Sequence, residues 1–179
     1  MLSEVIDHIR NRDYMSGVER DHSRVKATGE VFTPTPLVQE ILDQLPHELF
    51  EDHNKTFLDN SCGDGQFLGE VLIRKMENGS TFEQALSTVY GVDLMQDNVD
   101  ECRRRLLCGR EDLRHIVERN IVCHNALTYD YSFNGTNFTE AELQSRITGL
   151  PAPTAPKKQN KKTTVAKKVK LANPDLFIN

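Results

Sequence analysis

The sequence predicts an α/β protein organised around a parallel sheet. Three observations lead there. Short apolar runs alternate with segments of helical period, the mark of βαβ units. A glycine turn, Asn60–Gly65, joins the first run to its helix. The three runs end in Asp59, Asp93 and His124-Asn125, so polar residues gather at one end of the sheet, where open α/β sheets bind ligands.

The elements follow in chain order. Residues 2–12 read as a short helix and residues 17–30 as a polar lead-in. Thr35-Pro36 reads as a helix cap with proline at the first helical position. Leu37, Val38, Ile41, Leu42 and Leu45 then form one apolar face, and Pro46 stops the helix. Thr56–Asp59 is the first strand. Phe67, Leu68, Val71, Leu72 and Met76 mark a helix over Gln66–Met76. Thr81 and Gln84 have the spacing of a capping box for a short helix through Leu86. Val89–Asp93 is the second strand. Asn98–Leu107 is a helix with Val99, Cys102 and Leu106 inward and Arg103–Arg105 partly outside. Leu113–Arg119 is a further helical piece, and Ile121–Cys123 a third, buried strand. Past residue 130 only Glu140–Ile147 has a helical pattern. Residues 151–170 are rich in Pro and Lys without acids, the composition of a disordered basic segment.

The 179 residues suit one domain, and 37% hydrophobic content is enough for a core. The expected division is a lead-in over 1–28, a ligand-binding domain over 29–150 and a basic tail over 151–179. No run approaches the roughly 18 apolar residues of a membrane span, and the charged N-terminus lacks the apolar stretch of a signal peptide. A cytoplasmic location is expected. The four cysteines, Cys62, Cys102, Cys108 and Cys123, form no C-x-x-C pair and no zinc spacing with His, so neither a metal nor a disulfide is expected. Charge is uneven. Residues 157–179 hold seven lysines and one aspartate while the whole chain stands at −5, so residues 1–156 carry −11. Such an acidic body is a poor nucleic-acid binder by itself.

Asp59-Asn-Ser-Cys-Gly-Asp-Gly-Gln-Phe67 has two glycines that permit a sharp turn and close backbone approach. Its N–H groups and the helix start would attract a carboxylate or phosphate, and Asp59 can accept from an ammonium group. A purely structural turn is the alternative. In Gly91-Val-Asp-Leu94 an acid ending the second strand is placed to accept from ribose hydroxyls, or else to cap a helix. In His124-Asn-Ala-Leu127 the Asn125 amide oxygen can accept from an adenine amine, or else serve a turn.

Taken with Gly29-Glu-Val-Phe-Thr-Pro34, these segments resemble, in this order, the cofactor motifs of adenine-N6 DNA methyltransferases: residues 29–34, 58–68, 90–94 and 122–127. The likeness is greatest to the restriction-modification and phage type, in which the F-T-P segment comes first, and it spans roughly residues 20–130. It implies a class I methyltransferase-like, Rossmann-like fold and S-adenosylmethionine as cofactor. By this resemblance Phe32, Thr33 and Pro34 line the pocket, with Thr33 near the methionine carboxylate. Asp59, Cys62, Gly63 and Gly65 hold the methionine moiety, with Phe67 closing the same motif. Asp93 binds the ribose, Leu94 packs on the adenine and Asn125 reads its amine. Two positions depart from the pattern: Asn60 stands where the family usually has Pro, and Asn125 where it commonly has Asp.

The family's catalytic motif is Asn/Asp-Pro-Pro-Tyr/Phe, which holds the target amine and stacks on a flipped base. No Asn-Pro or Asp-Pro occurs in residues 128–150. Asn173 and Pro174 are the only candidates, but Asp175 replaces the second proline and Phe177 is displaced by one position. The sheet is therefore expected to be incomplete. The resemblance implies DNA as ultimate substrate, the enzyme being either minimal or completed by a second polypeptide that supplies the catalytic and target-recognition parts. Two alternatives stand beside this reading: a non-catalytic S-adenosylmethionine-binding or regulatory module, and a nucleic-acid tether acting through the Lys-rich tail.

Overall fold

A computed structural model of the chain describes residues 1–11, 25–26 and 30–134. Most of the expected lead-in, the Glu140–Ile147 pattern, the Lys-rich segment and Asn173-Pro174 lie outside the described residues. Among those described are seven α-helices, one 3-10 turn and a parallel sheet of three strands.

Helix α1 (Leu2–Arg10) buries Val5 and Ile9. Helix α2 (Thr35–Leu42) has Pro34 as its N-cap residue and Pro36 in its first turn, where a missing N–H costs nothing. Thr35 does not cap it. Its hydroxyl instead accepts a hydrogen bond from the Gln66 amide, which ties α2 to the fourth helix. The predicted five-residue apolar face also divides. Val38 and Leu42 are buried, whereas Leu37, Ile41 and Leu45 are exposed, and the helix ends at Leu42 rather than at Pro46. A helix packed on a single neighbour hides only one narrow stripe. The short helix α3 (Glu48–Glu51) had no clear sequence pattern; it exists to deliver Phe50, which is buried and stacks on Phe57 with ring centroids 5.2 Å apart.

Strand β1 (Phe57–Asp59) leads into α4 (Gln66–Glu77). Helix α5 (Phe82–Ser87) begins with the predicted capping box: the Gln84 N–H donates to the Thr81 hydroxyl at 3.2 Å, and the Thr81 N–H donates to the Gln84 side chain at 2.9 Å. Strand β2 (Val89–Asp93) and helix α6 (Gln96–Leu107) follow, then the 3-10 turn Glu111–Leu113, helix α7 (Arg114–Asn120) and strand β3 (Ile121–Cys123).

The order is β1-β2-β3, with Asp59 level with Gly91 and Asp93 level with Cys123. Connections that advance in one direction with the usual hand put their helices on one face of the sheet. There Leu68, Val71, Leu72, Val99, Cys102, Leu106, Ile116 and Ile121 join one core. Two polar side chains at the seams find backbone carbonyls. The Asn120 amide donates to the Val89 carbonyl at 3.1 Å, and the Arg103 guanidinium donates to the Ile121 carbonyl at 3.0 Å. The buried Lys75 ammonium donates to the Asp52 and Lys55 carbonyls at 3.2 and 2.6 Å, pinning the approach to β1; burial lowers its pKa.

Among the described residues the opposite face is thinly covered. Tyr90 meets Phe133 at 4.8 Å and Tyr129 packs beside it at 5.1 Å, but Leu58 remains 53% exposed. The expectation of a fully buried third strand is corrected on the same ground. Ile121 is buried, Val122 half-buried and Cys123 exposed, because β3 is an edge of the described sheet. Among the described residues, no helix is long and apolar enough to cross a membrane.

Candidate ligand-binding cleft

A cleft of about 400 Å³ lies across the carboxyl ends of the three strands. That size suits a small-molecule ligand. Its floor comes from Asn60, Ser61 and Gly63 after β1 and from Asp93 to Met95 after β2. His124 to Leu127 form one wall after β3, and Glu30 to Phe32 close the other. The location is the one that strand polarity favours, where loops leave a rigid sheet.

Asp93 is held through both carboxylate oxygens. One carboxylate oxygen accepts the Gly63 N–H at 2.9 Å; the other accepts the Met95 N–H at 2.9 Å and the Asn98 amide at 3.2 Å. The residue is only 9% exposed. The Asn98 amide, itself buried, also donates to a Glu30 carboxylate oxygen. One primary amide thus stands between two acids and offers each a hydrogen. Such a bridge lets two like charges share a cleft without repelling freely.

Glu30 and Asp93 are the only charged side chains among the described lining residues; no Lys or Arg joins them. The glycine loop does not reverse this sign. Gly63 and Gly65 take positive φ, 51° and 83°, as the turn into α4 requires. A Cβ at Gly65 would stand 2.7 Å from the Cys102 sulfur, so the loop admits no side chain there. Yet the Gly63 N–H is held by Asp93 and the Gly65 N–H by the Cys62 carbonyl at 2.8 Å. The expectation that these two amides would face a carboxylate or phosphate is therefore corrected: both are engaged within the protein. The cleft favours a ligand that donates hydrogen bonds or carries positive charge over one bearing phosphates.

The predicted site residues fall into two sets. Phe32, Gly63, Asp93, Leu94 and Asn125 line the cleft. Phe32 is buried against Gly63, whereas Leu94 is 59% exposed, a free apolar surface beside the acids. Asn125 is exposed, and its side-chain oxygen accepts the Leu127 N–H at 2.9 Å, the turn that the sequence left as an alternative. Thr33, Pro34, Asp59, Cys62, Gly65 and Phe67 are not in the lining. Asp59, half-buried, accepts the Ser61 N–H at 3.0 Å. Burial raises its carboxyl pKa, against the Ser61 hydrogen bond, and the charge of Asp93 adds to the rise. Cys62 is buried with its thiol against Cys102; that contact and burial hold its pKa well above the ordinary value, so it stays a protonated thiol. Phe67 is half-buried and packs on the core from α4.

The motif reading gave no ligand role to Glu30, although it lies within Gly29–Pro34, or to Asn98. Asn98 did leave a signal: it lies one turn before Cys102 on the inward stripe of α6, and a polar residue on an apolar stripe calls for a buried partner. Among the described residues no group of three or more His, Cys, Asp or Glu could hold a metal ion. The chain matches no family model, no curated protein and no solved structure.

Proposed function

We propose that the cleft binds S-adenosylmethionine and that the chain is the cofactor-holding part of a DNA adenine-N6 methyltransferase, in a class I methyltransferase-like fold. The observation that carries this reading is the pairing of Asp93 and Glu30 through Asn98 in a cleft whose described lining holds no Lys or Arg. S-adenosylmethionine brings a sulfonium, an ammonium and two ribose hydroxyls, all suited to acids. A dinucleotide or nucleoside triphosphate brings phosphates that this lining would repel. Leu94, exposed at the rim, gives the adenine ring an apolar surface. The order of the sequence motifs supplies the rest of the support.

Methyl transfer requires a group that grips the target amine. In this chain Asn173-Pro174 is the sole Asn-Pro, and Asp175 follows it. That sequence favours a second reading beside the first, a module that binds the cofactor without turning it over unless another polypeptide supplies the missing motif. Calorimetric titration with S-adenosylmethionine tests the shared core of both readings. Saturable binding is expected, and its absence in a folded protein overturns both. Transfer of labelled methyl groups to unmethylated DNA, with and without the product of a candidate partner gene, separates the two.

A further inference from the structure

Asp64 lies between the two loop glycines, where a solvent-facing turn residue would be ordinary. Instead it is 1% exposed. Its carboxylate sits 3.0 Å from the Arg105 guanidinium, which is 2% exposed. Arg105 was expected partly outside α6. It is drawn inward because α6 buries the face that carries Asn98, Cys102 and Arg105 at successive turns. A second guanidinium nitrogen donates to the Ile9 carbonyl at 3.1 Å. Ile9 is in the last turn of α1, where carbonyls have no partner within the helix and a cation is favoured.

Close backbone approach makes room for this arrangement. A Cβ on Gly69 of α4 would lie 2.9 Å from the Ile9 side chain and 3.8 Å from the Arg105 Nε. The guanidinium is thus enclosed by α1, α4 and the glycine loop. Nearby, Glu70 of α4, 0% exposed, receives Arg10 of α1 through two hydrogen bonds of 2.9 and 2.7 Å and the Gln39 amide of α2 at 3.2 Å.

We infer that Asp64 and Arg105 are positioning residues: a dry ion pair, seated on the end of α1, that holds the glycine loop in the shape that presents Gly63 to Asp93. The pair does not line the cleft. Its effect runs through the loop. With Asp64 anchored, the flanking amides of Gly63 and Gly65 keep their internal partners, and the Asp93 carboxylate keeps the orientation in which Met95, Asn98 and Gly63 all reach it. The loop-ordering role is independent of the cofactor proposed above; the consequence for affinity rests on it.

Amide hydrogen exchange read by NMR tests the inference in the full chain, together with S-adenosylmethionine titration. Two variants serve: Asp64→Asn, nearly isosteric, and the double replacement Asp64→Leu with Arg105→Met. Exchanging a buried ion pair for apolar residues of similar volume is often neutral for stability, so the double variant keeps a folded molecule available if the single one is too unstable. In both, the Gly63 and Gly65 amides are expected to exchange at least tenfold faster while Val71 and Leu72 amides in α4 keep their protection. S-adenosylmethionine affinity is expected to fall by at least tenfold. Loop protection equal to wild type in a folded variant overturns the inference, as does a rise that is uniform over loop and core. Should wild type fail to bind S-adenosylmethionine while the loop amides still respond, the cofactor reading fails and the positioning role stands.

Discussion

At its first turn α6 sends Asn98 toward the loops; two turns later the same face sends Arg105. The two ends are built differently. Asn98 is a neutral amide shared by two acids, and beyond it lies an open cleft. Arg105 is a full charge matched to the buried Asp64 carboxylate and a helix-end carbonyl. The difference separates a frame from a binding surface. A dry ion pair admits one geometry and tolerates no loss of a partner. An amide has two hydrogens and here serves two acids at the edge of the cleft, so it links them without closing the cleft to a ligand.

The largest effect expected from breaking this pattern is at the frame. Arg105→Met alone takes the guanidinium from the buried Asp64 carboxylate, and loss of one partner of a buried pair costs about 3–5 kcal/mol. Urea denaturation should show that loss; a change below about 1 kcal/mol would mean that water reaches Asp64 and that the pair is not dry. At the cleft, Asp93→Ala should weaken S-adenosylmethionine binding by about 1.5–3 kcal/mol, the worth of a hydrogen bond to a charged group, as read by calorimetry. Equal affinity in the variant would remove Asp93 from the ligand's contacts. Thr81→Ala provides a control distant from both regions. Loss of the capping box should lower stability by about 1 kcal/mol and leave ligand affinity unchanged.

The smallest effect is a pH dependence. Burial raises the Asp59 carboxyl pKa above the unfolded value, so the native state holds this proton more tightly than the unfolded chain does. The contribution of Asp59 to stability is then full below the unfolded pKa and is lost as pH climbs through the raised folded one. Denaturation across that acidic window should show the loss in wild type and not in Asp59→Asn. An identical pH slope in the two proteins would place the effect on another carboxyl group.

Much of the sheet and its connections was legible because period and punctuation agreed. Val89–Asp93 and Ile121–Cys123 match the predicted strands residue for residue, and the Thr81–Gln84 box starts α5 as its spacing required. The divergences share a cause. The apolar face of α2 was drawn too wide because period shows which residues lie together and not how much surface a neighbour covers. Arg105 was placed partly outside because charge ordinarily seeks water, and its partners inside, Asp64 and the Ile9 carbonyl, lie 41 and 96 residues away. In the cleft, Asp93 and Gly63 could be read from a strand end and a turn. The link from Glu30 to Asn98 spans 68 positions and follows no short spacing, so it emerges only when the chain has folded. Asn125 lay open between two readings, and in the structure its oxygen closes a turn.

The four cysteines differ in a way that is useful at the bench. Cys62 and Cys102 are sealed in the core and Cys108 is half-buried, while Cys123 is exposed beside the mouth of the cleft, its sulfur 3.5 Å from the Leu94 carbonyl. Partial burial keeps its thiol pKa raised, so it reacts best in mildly alkaline buffer. With Cys108 replaced by Ser, a maleimide dye on Cys123 would sit next to Leu94 and His124. Its fluorescence would then follow the filling and emptying of the cleft in real time, without any need for turnover.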